Sequence, residues 1–89
     1  MIEIPKDDVD KLALRLRRIA GQINGIEKML LEGRECESVI NQIAAASKAL
    51  DQVGFKLVAA GLRNCMSSQS GADAADDIAR LEKYFSRLS

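Results

Sequence analysis

The sequence predicts an all-α fold with two long helices and one short helix. Apolar residues recur at alternating steps of three and four along most of the chain, and the only proline is Pro5. No segment has the alternating pattern of a β-strand. With 89 residues, the chain is expected to form one domain, residues 1–89, whose small core gains stability from association with other copies.

The first helix is predicted from Asp7 to Leu31. Acidic residues in its first turn suit the positive end of the helix dipole. Gly33 is a natural stop, because glycine accepts the left-handed conformation that ends many helices. The apolar positions form a heptad stripe typical of helix–helix packing, and they are Val9, Leu12, Leu16, Ile19, Ile23, Ile26 and Leu30.

The second helix is predicted from about Cys36 to Asn64, and the third from about Ala72 to Leu88, with a loop at 67–71. Gly54 and Gly61 lower the helix propensity of the second helix, and we interpret them as marks of close contact. The stripe of the second helix is Val39, Ile43, Ala46, Leu50, Val53, Leu57 and Ala60. The stripe of the third is Ile78, Leu81, Phe85 and Leu88. We expect all three stripes to be core.

Charge is balanced over the whole chain but clustered locally. Residues 11–34 carry six basic and two acidic side chains. Four polar residues of this segment share one helix face by their spacing, which suits either a solvated surface or contact with a polyanion. They are Lys11, Arg15, Arg18 and Gln22, with Arg17 next to them. Lys48, Lys56 and Arg63 are weaker candidates on the second helix.

The chain begins with an acidic segment that does not resemble a signal peptide, and no apolar run is long enough to span a bilayer. We therefore expect a cytoplasmic protein with no membrane partner. Histidine, the commonest general base and metal ligand, is absent. Because the chain also has no catalytic motif, we do not expect an enzyme.

Two cysteines, Cys36 and Cys65, lie at the two predicted ends of the second helix, about 40 Å apart. A disulfide needs Cα atoms within about 7 Å, so the thiols of one chain cannot meet. If two second helices paired antiparallel, Cys36 of one chain would approach Cys65 of the other. The helix dipole favours a thiolate at Cys36, which makes it the better nucleophile and Cys65 the resolving thiol. Spacing alone leaves open whether both are inert core residues.

The segment from Arg15 to Ile26, with sequence RLRRIAGQINGI, resembles the signature of the CsoR/RcnR family of bacterial repressors. The resemblance continues through Cys36, Gln42 and Ala49-Leu50 to LRNC at residues 62–65. It implies a three-helix protomer, an antiparallel four-helix-bundle dimer and a tetramer. It also implies that the chain binds operator double-stranded DNA through Lys11, Arg15, Arg17, Arg18 and Gln22 and releases it when an inducer reaches Cys36 and Cys65.

Copper-sensing members of the family have histidine four residues before the second cysteine, where this chain has Gly61. With both thiols kept and the histidine missing, the chain is most similar to the persulfide-sensing, CstR-like branch. That similarity implies persulfide or polysulfide as inducer, di- to tetrasulfide links between Cys36 and Cys65 of neighbouring protomers, and no cofactor. The alternative is a Cu(I) sensor that uses the same two thiolates, since soft ligands suit Cu(I).

Overall fold

The computed structural model describes residues 3–68 and 72–88. It consists of three helices, α1 (Lys6–Leu31), α2 (Cys36–Ser68) and α3 (Ala72–Leu88). No strand occurs within these ranges, so the prediction of an all-helical protomer with two long helices and one short one is confirmed. Over the same ranges, none of the helices combines the length and the apolar character that crossing a membrane requires.

A tight glycine turn ends α1. Gly33 has a φ of 72°, in the left-handed region that the sequence predicted for it. The N–H of Gly33 donates to the carbonyl of Leu30 at 3.2 Å, and the N–H of Arg34 donates to the carbonyl of Met29 at 3.0 Å. This pair of bonds is a Schellman motif, which satisfies the last carbonyls of the helix. The chain therefore reverses within a few residues, and α2 begins at Cys36.

The second helix is one turn longer than predicted. It continues to Ser68 instead of ending near Asn64, so the loop expected at 67–71 was wrong for its first two residues, and positions 69–71 lie outside the described residues. Serine has only a weak preference against helix, so the local composition does not exclude this additional turn. As a result, Cys65 lies inside the last turn of α2 and not at its end.

The contact between α1 and α2 is made by alternate members of the heptad stripes. Leu12 and Ile19 of α1 are buried in a cluster with Val53 of α2, with Ala49 packed against it. On α2 the buried positions recur every seven residues, and they are Val39, Ala46, Val53 and Ala60. The two long helices thus form a hairpin with a narrow aliphatic contact.

The third helix packs on the second half of α2. Leu81 is buried there, and the rings of Phe55 and Phe85 lie with their centroids 5.3 Å apart. A Cβ atom added at Gly54 would lie 2.8 Å from Cδ2 of Leu88. The interpretation of Gly54 as a close contact is therefore confirmed.

The protomer is a single layer of helices. It extends 57 × 24 × 13 Å, and its thinnest dimension is about the diameter of one helix. Its radius of gyration is 17.0 Å, whereas a compact domain of this length would have about 12 Å. A layer one helix thick has no second layer to cover its apolar surface.

Half of the predicted core is consequently exposed in the protomer. Within one protomer the expectation that whole stripes are core is met only in part, because each stripe of the two long helices has a second set of positions that points away from the α1–α2 contact. Their burial in an assembly stays a prediction. By helix spacing these exposed positions lie on one flank of the hairpin, which we name the apolar side: Val9, Leu16, Ile23 and Leu30 of α1 with Ile43, Leu50 and Leu57 of α2. Exposed apolar patches of this kind are typical of surfaces that contact another protein chain.

Candidate functional site

Cys36 is the first residue of α2 and is exposed. It follows Gly33 by three residues, so the turn that ends α1 also fixes the position of this thiol. Its place at the helix N-terminus agrees with the sequence prediction. Exposure gives reagents access to the sulfur.

Cys65 has the opposite environment. Its side chain is 0% exposed and lies between α2 and α3. The Sγ donates to Oδ2 of Asp77 on α3, with 4.0 Å between the two atoms. Asp77 is itself only 4% exposed. A thiol buried in this way can react only if α3 moves away from α2, or if association with another chain rearranges the packing around the thiol.

Asp77 was not among the residues that the sequence analysis singled out. The spacing of Asp77 would have indicated it. Asp77 lies four residues before Leu81, which is buried in the apolar stripe of α3. Residues four apart share one helix face, so a carboxylate at position 77 points towards α2. A buried carboxylate on an otherwise apolar face requires a polar partner.

Cys36 is the first residue of α2 and Cys65 lies in its last turn, so the two thiols of one protomer are separated by most of the helix, as predicted. Within the described ranges there is no group of three or more His, Cys, Asp or Glu side chains that could hold a metal ion. A site that contains both cysteines therefore requires two chains, one supplying Cys36 and the other supplying Cys65.

Basic side chains from both long helices meet in one groove, on the flank of the hairpin opposite the apolar side. We name it the basic groove, and it is lined by Asp8, Lys11, Leu12 and Arg15 of α1 with Lys56, Ala59 and Arg63 of α2. Inside it, Nη2 of Arg63 donates to Oδ1 of Asp8 at 3.4 Å. Two members of the predicted contact set, Lys11 and Arg15, thus share this groove with two cations of α2, Lys56 and Arg63.

The other three predicted contact residues do not line this groove. Arg18 is exposed and Gln22 half-buried, on the same flank of α1 but further along it. Arg17 is exposed too, but it follows Arg15 by two residues, which places it about 200° away around the helix. Their contact with DNA stays a prediction.

Comparison with known proteins places the chain in a family. Residues 8–87 match the family described as metal-sensitive transcriptional repressor. Since this match spans nearly all of the chain, the protein belongs to that family and is a transcriptional repressor, which is not an enzymatic function. Membership also implies operator DNA and other copies of the chain as partners.

Two relatives have names that state an effector. The copper-sensing transcriptional repressor RicR of Mycobacterium tuberculosis is 34% identical over 82 residues, covering 89% of this chain and 85% of RicR. The copper-sensing transcriptional repressor CsoR of Bacillus subtilis is 29% identical over 82 residues, covering 88% of this chain and 81% of CsoR.

These names correct one expectation from the sequence. The absence of histidine led us to expect no cofactor, with Cu(I) only as an alternative, and that expectation is wrong in view of a metal-sensitive family and copper-sensing relatives. The glycine that stands at position 61 in place of a histidine does not exclude copper. Two thiolates already supply the soft sulfur ligands that Cu(I) prefers.

Proposed function

We propose that this chain is a copper(I)-responsive repressor, in which Cys36 of one protomer and the partner's Cys65 bind the ion and operator DNA is then released. The observation that carries the proposal is the placement of the two thiols at opposite ends of one helix beside an uncovered apolar side. The names of RicR and CsoR support copper as the effector.

The chemistry of the donors fits Cu(I). Thiolates are soft ligands, and this chain has two of them and no histidine. Gly61, buried one turn before Cys65, has no side chain with which to bind a metal. Cys36 and the partner's Cys65 are thus the two ligands that the proposal assigns, and bound copper would supply a strong link between two chains.

The pairing of chains follows from the apolar side. We propose that two hairpins pack with these flanks together and with their α2 helices antiparallel, which forms a four-helix bundle. The midpoint between Cys36 and Cys65 lies beside Leu50, so an axis of two-fold symmetry near Leu50 brings each Cys36 to a Cys65 of the other chain. Two such dimers would form the tetramer that the resemblance implies.

Release of DNA follows from linking two chains at both ends of the bundle. Cys65 is buried between α2 and α3, with its Sγ 4.0 Å from Oδ2 of Asp77, so a ligand that draws this sulfur towards the partner's Cys36 would disturb the packing of α3 on α2. An effector shifts a protein between two states only by its preference for one of them. We propose that copper favours an arrangement of protomers in which the basic surfaces no longer match the duplex.

The test has two parts. Reduced protein is titrated with Cu(I) in the absence of oxygen, and its affinity for DNA is then measured with and without copper. The probe is a duplex enriched by the copper-free protein from a random-sequence pool, hereafter the selected duplex. We expect about one tightly bound Cu(I) per protomer, because a two-fold dimer has two Cys36–Cys65 pairs. Copper should weaken binding to the selected duplex by about 5–150-fold. Cys36→Ser should bind the duplex normally and ignore copper. Release by copper in this variant would overturn the proposal.

A second candidate effector is persulfide or polysulfide, and the observation that favours it is the glycine at position 61 in a chain without histidine. The thiolate of Cys36 would attack a sulfur–sulfur bond of polysulfide and expel a shorter polysulfide. The partner's Cys65 thiolate would then attack the cysteine persulfide, form the disulfide and release hydrosulfide. Longer links would retain additional sulfur atoms.

Intact mass measured without reductant separates the two effectors. After exposure to inorganic polysulfide, a covalent dimer with a disulfide link or with one or two added sulfur atoms, together with weak copper binding, would favour the second candidate. Tight copper binding without a cross-link would favour the first. Cys65→Ala is the control for both, since it keeps the exposed thiol of Cys36 and removes its partner.

A further inference from the structure

We propose that the basic groove between α1 and α2 binds the phosphate backbone of operator DNA, and that Asp8 competes with a phosphate for Arg63. The proposal rests on the function as a DNA-binding repressor and assigns it a surface built from two helices. It adds Lys56 and Arg63 to the contact residues, and it gives a role to a carboxylate that lies among cations.

The charge of the groove fits a polyanion. Four cations and one carboxylate line it, which leaves a clear positive excess in a chain with no net charge overall. The four cationic side chains are exposed, so their charged groups reach solvent and any ligand that approaches. A cleft lined by one sign of charge concentrates the opposite charge and speeds encounter with it.

The dimensions of the groove suit a duplex. Lys56 and Arg63 are seven residues apart on α2, a rise of about 10 Å. Double-stranded DNA carries one phosphate charge per about 1.7 Å of axis, so about 10 Å of duplex offers roughly six charges. A duplex segment of this length therefore carries at least as many phosphate charges as the groove has cations.

The ion pair between Asp8 and Arg63 lies where a phosphate would bind. Its atoms are 3.4 Å apart, and the side chains are 30% exposed for Asp8 and 66% exposed for Arg63. Exposed pairs of this kind are weak, whereas a guanidinium binds phosphate through two parallel hydrogen bonds. A phosphate can thus displace Asp8, and the carboxylate lowers the affinity for DNA without preventing binding.

The location of the groove is compatible with assembly. Asp8 and Arg15 lie on the flank of α1 opposite Leu16 and Ile23, which belong to the apolar side. A partner that covers the apolar side therefore leaves the groove open. Each protomer of a symmetric assembly presents its own copy to the duplex.

The first experiment compares Lys56→Gln with Lys83→Gln, both without copper. Lys83 is an exposed lysine of α3 that does not line the groove. Binding to the selected duplex is measured by fluorescence anisotropy at several salt concentrations. We expect Lys56→Gln to weaken binding and to lower the slope of log K against log salt by about 0.9 for each lost phosphate contact. Lys83→Gln should match the parent chain. Equal affinity and slope in the two variants would overturn the proposal.

The second experiment compares Asp8→Asn with Asp7→Asn. Both residues lie in the first turn of α1 and both variants remove one negative charge, but Asp7 does not line the groove. We expect Asp8→Asn to bind the selected duplex about two- to fivefold more tightly than Asp7→Asn, the range that a weak exposed ion pair allows. In an Arg63→Gln background this difference should vanish. A difference that persists there would refute competition for Arg63.

These outcomes are independent of the copper proposal, because every binding curve is recorded without metal. If copper had no effect but the variants showed the expected differences in DNA affinity, the proposal for the groove would stand and the proposal for copper would be overturned. Helical content and oligomeric mass are measured for each variant. All substituted side chains are exposed or half-exposed, so both quantities should match those of the parent chain.

Discussion

Cys65 and Asp77 meet inside the contact between α2 and α3, where Sγ lies 4.0 Å from Oδ2 and both side chains are almost fully removed from solvent. Cys36, at the other end of α2, is exposed. The two thiols of one chain therefore differ in access to any reagent.

We predict that a thiol-reactive chromogenic disulfide labels Cys36 of the native protein about tenfold faster than Cys65, or more. Reaction at Cys65 requires α3 to open first, and local opening of a packed helix costs free energy. The rates are read from absorbance, with Cys36→Ser used to isolate the buried thiol. Full and equal labelling after unfolding in guanidinium is the control. Comparable native rates would show that Cys65 is not buried in solution.

Asp77→Ala should make Cys65 react about two- to tenfold faster, the factor expected when one hydrogen bond that holds α3 to α2 is lost. Asp76→Ala is the matched control, because Asp76 is the preceding residue, carries the same charge and is exposed. The comparison is made in the Cys36→Ser background. If the two variants labelled at the same rate, Asp77 would not restrain the thiol.

Leu50→Glu should dissociate the assembly, since it places a carboxylate in the middle of the apolar side and charges cannot be buried there without a partner. We expect a loss of about 2 kcal/mol or more per protomer, measured by sedimentation over a range of concentrations. Met66→Glu provides the control, because Met66 is exposed on the opposite side of α2. An unchanged oligomeric mass for Leu50→Glu would place the interface elsewhere.

Gly33→Ala should destabilise the protein by about 1–2 kcal/mol, because alanine is strained at a φ of 72°. Gly21→Ala should instead stabilise α1 by about 0.5–1 kcal/mol, since an added Cβ at Gly21 has no atom within 4 Å. Thermal unfolding at one fixed protein concentration measures both. A midpoint for Gly33→Ala at or above that of the parent chain would contradict the strained turn.

The sequence was sufficient to predict the helices, because heptad spacing and Gly33 are local features of the chain. The C-terminal end of α2 was not predictable in the same way. Its last turn is supported by α3, and the local composition of serine and glutamine predicts a loop there.

The candidate sites also differ in whether local sequence or contacts between distant residues determine them. The position of Cys36 at a helix start follows from local sequence, and so does the basic flank that includes Lys11 and Arg15. The environment of Cys65 and the ion pair between Asp8 and Arg63 depend on residues that are distant in sequence, and no spacing rule brings them together.

The protomer is only 13 Å across its thinnest dimension, so we expect its folding and its assembly to be coupled. In that case the fraction of folded protein depends on how many copies are present. At low copy number, dissociation and unfolding would remove repressor together, before any effector arrives. The amount synthesised would then be a second control on repression, alongside the proposed chemistry of the two cysteines.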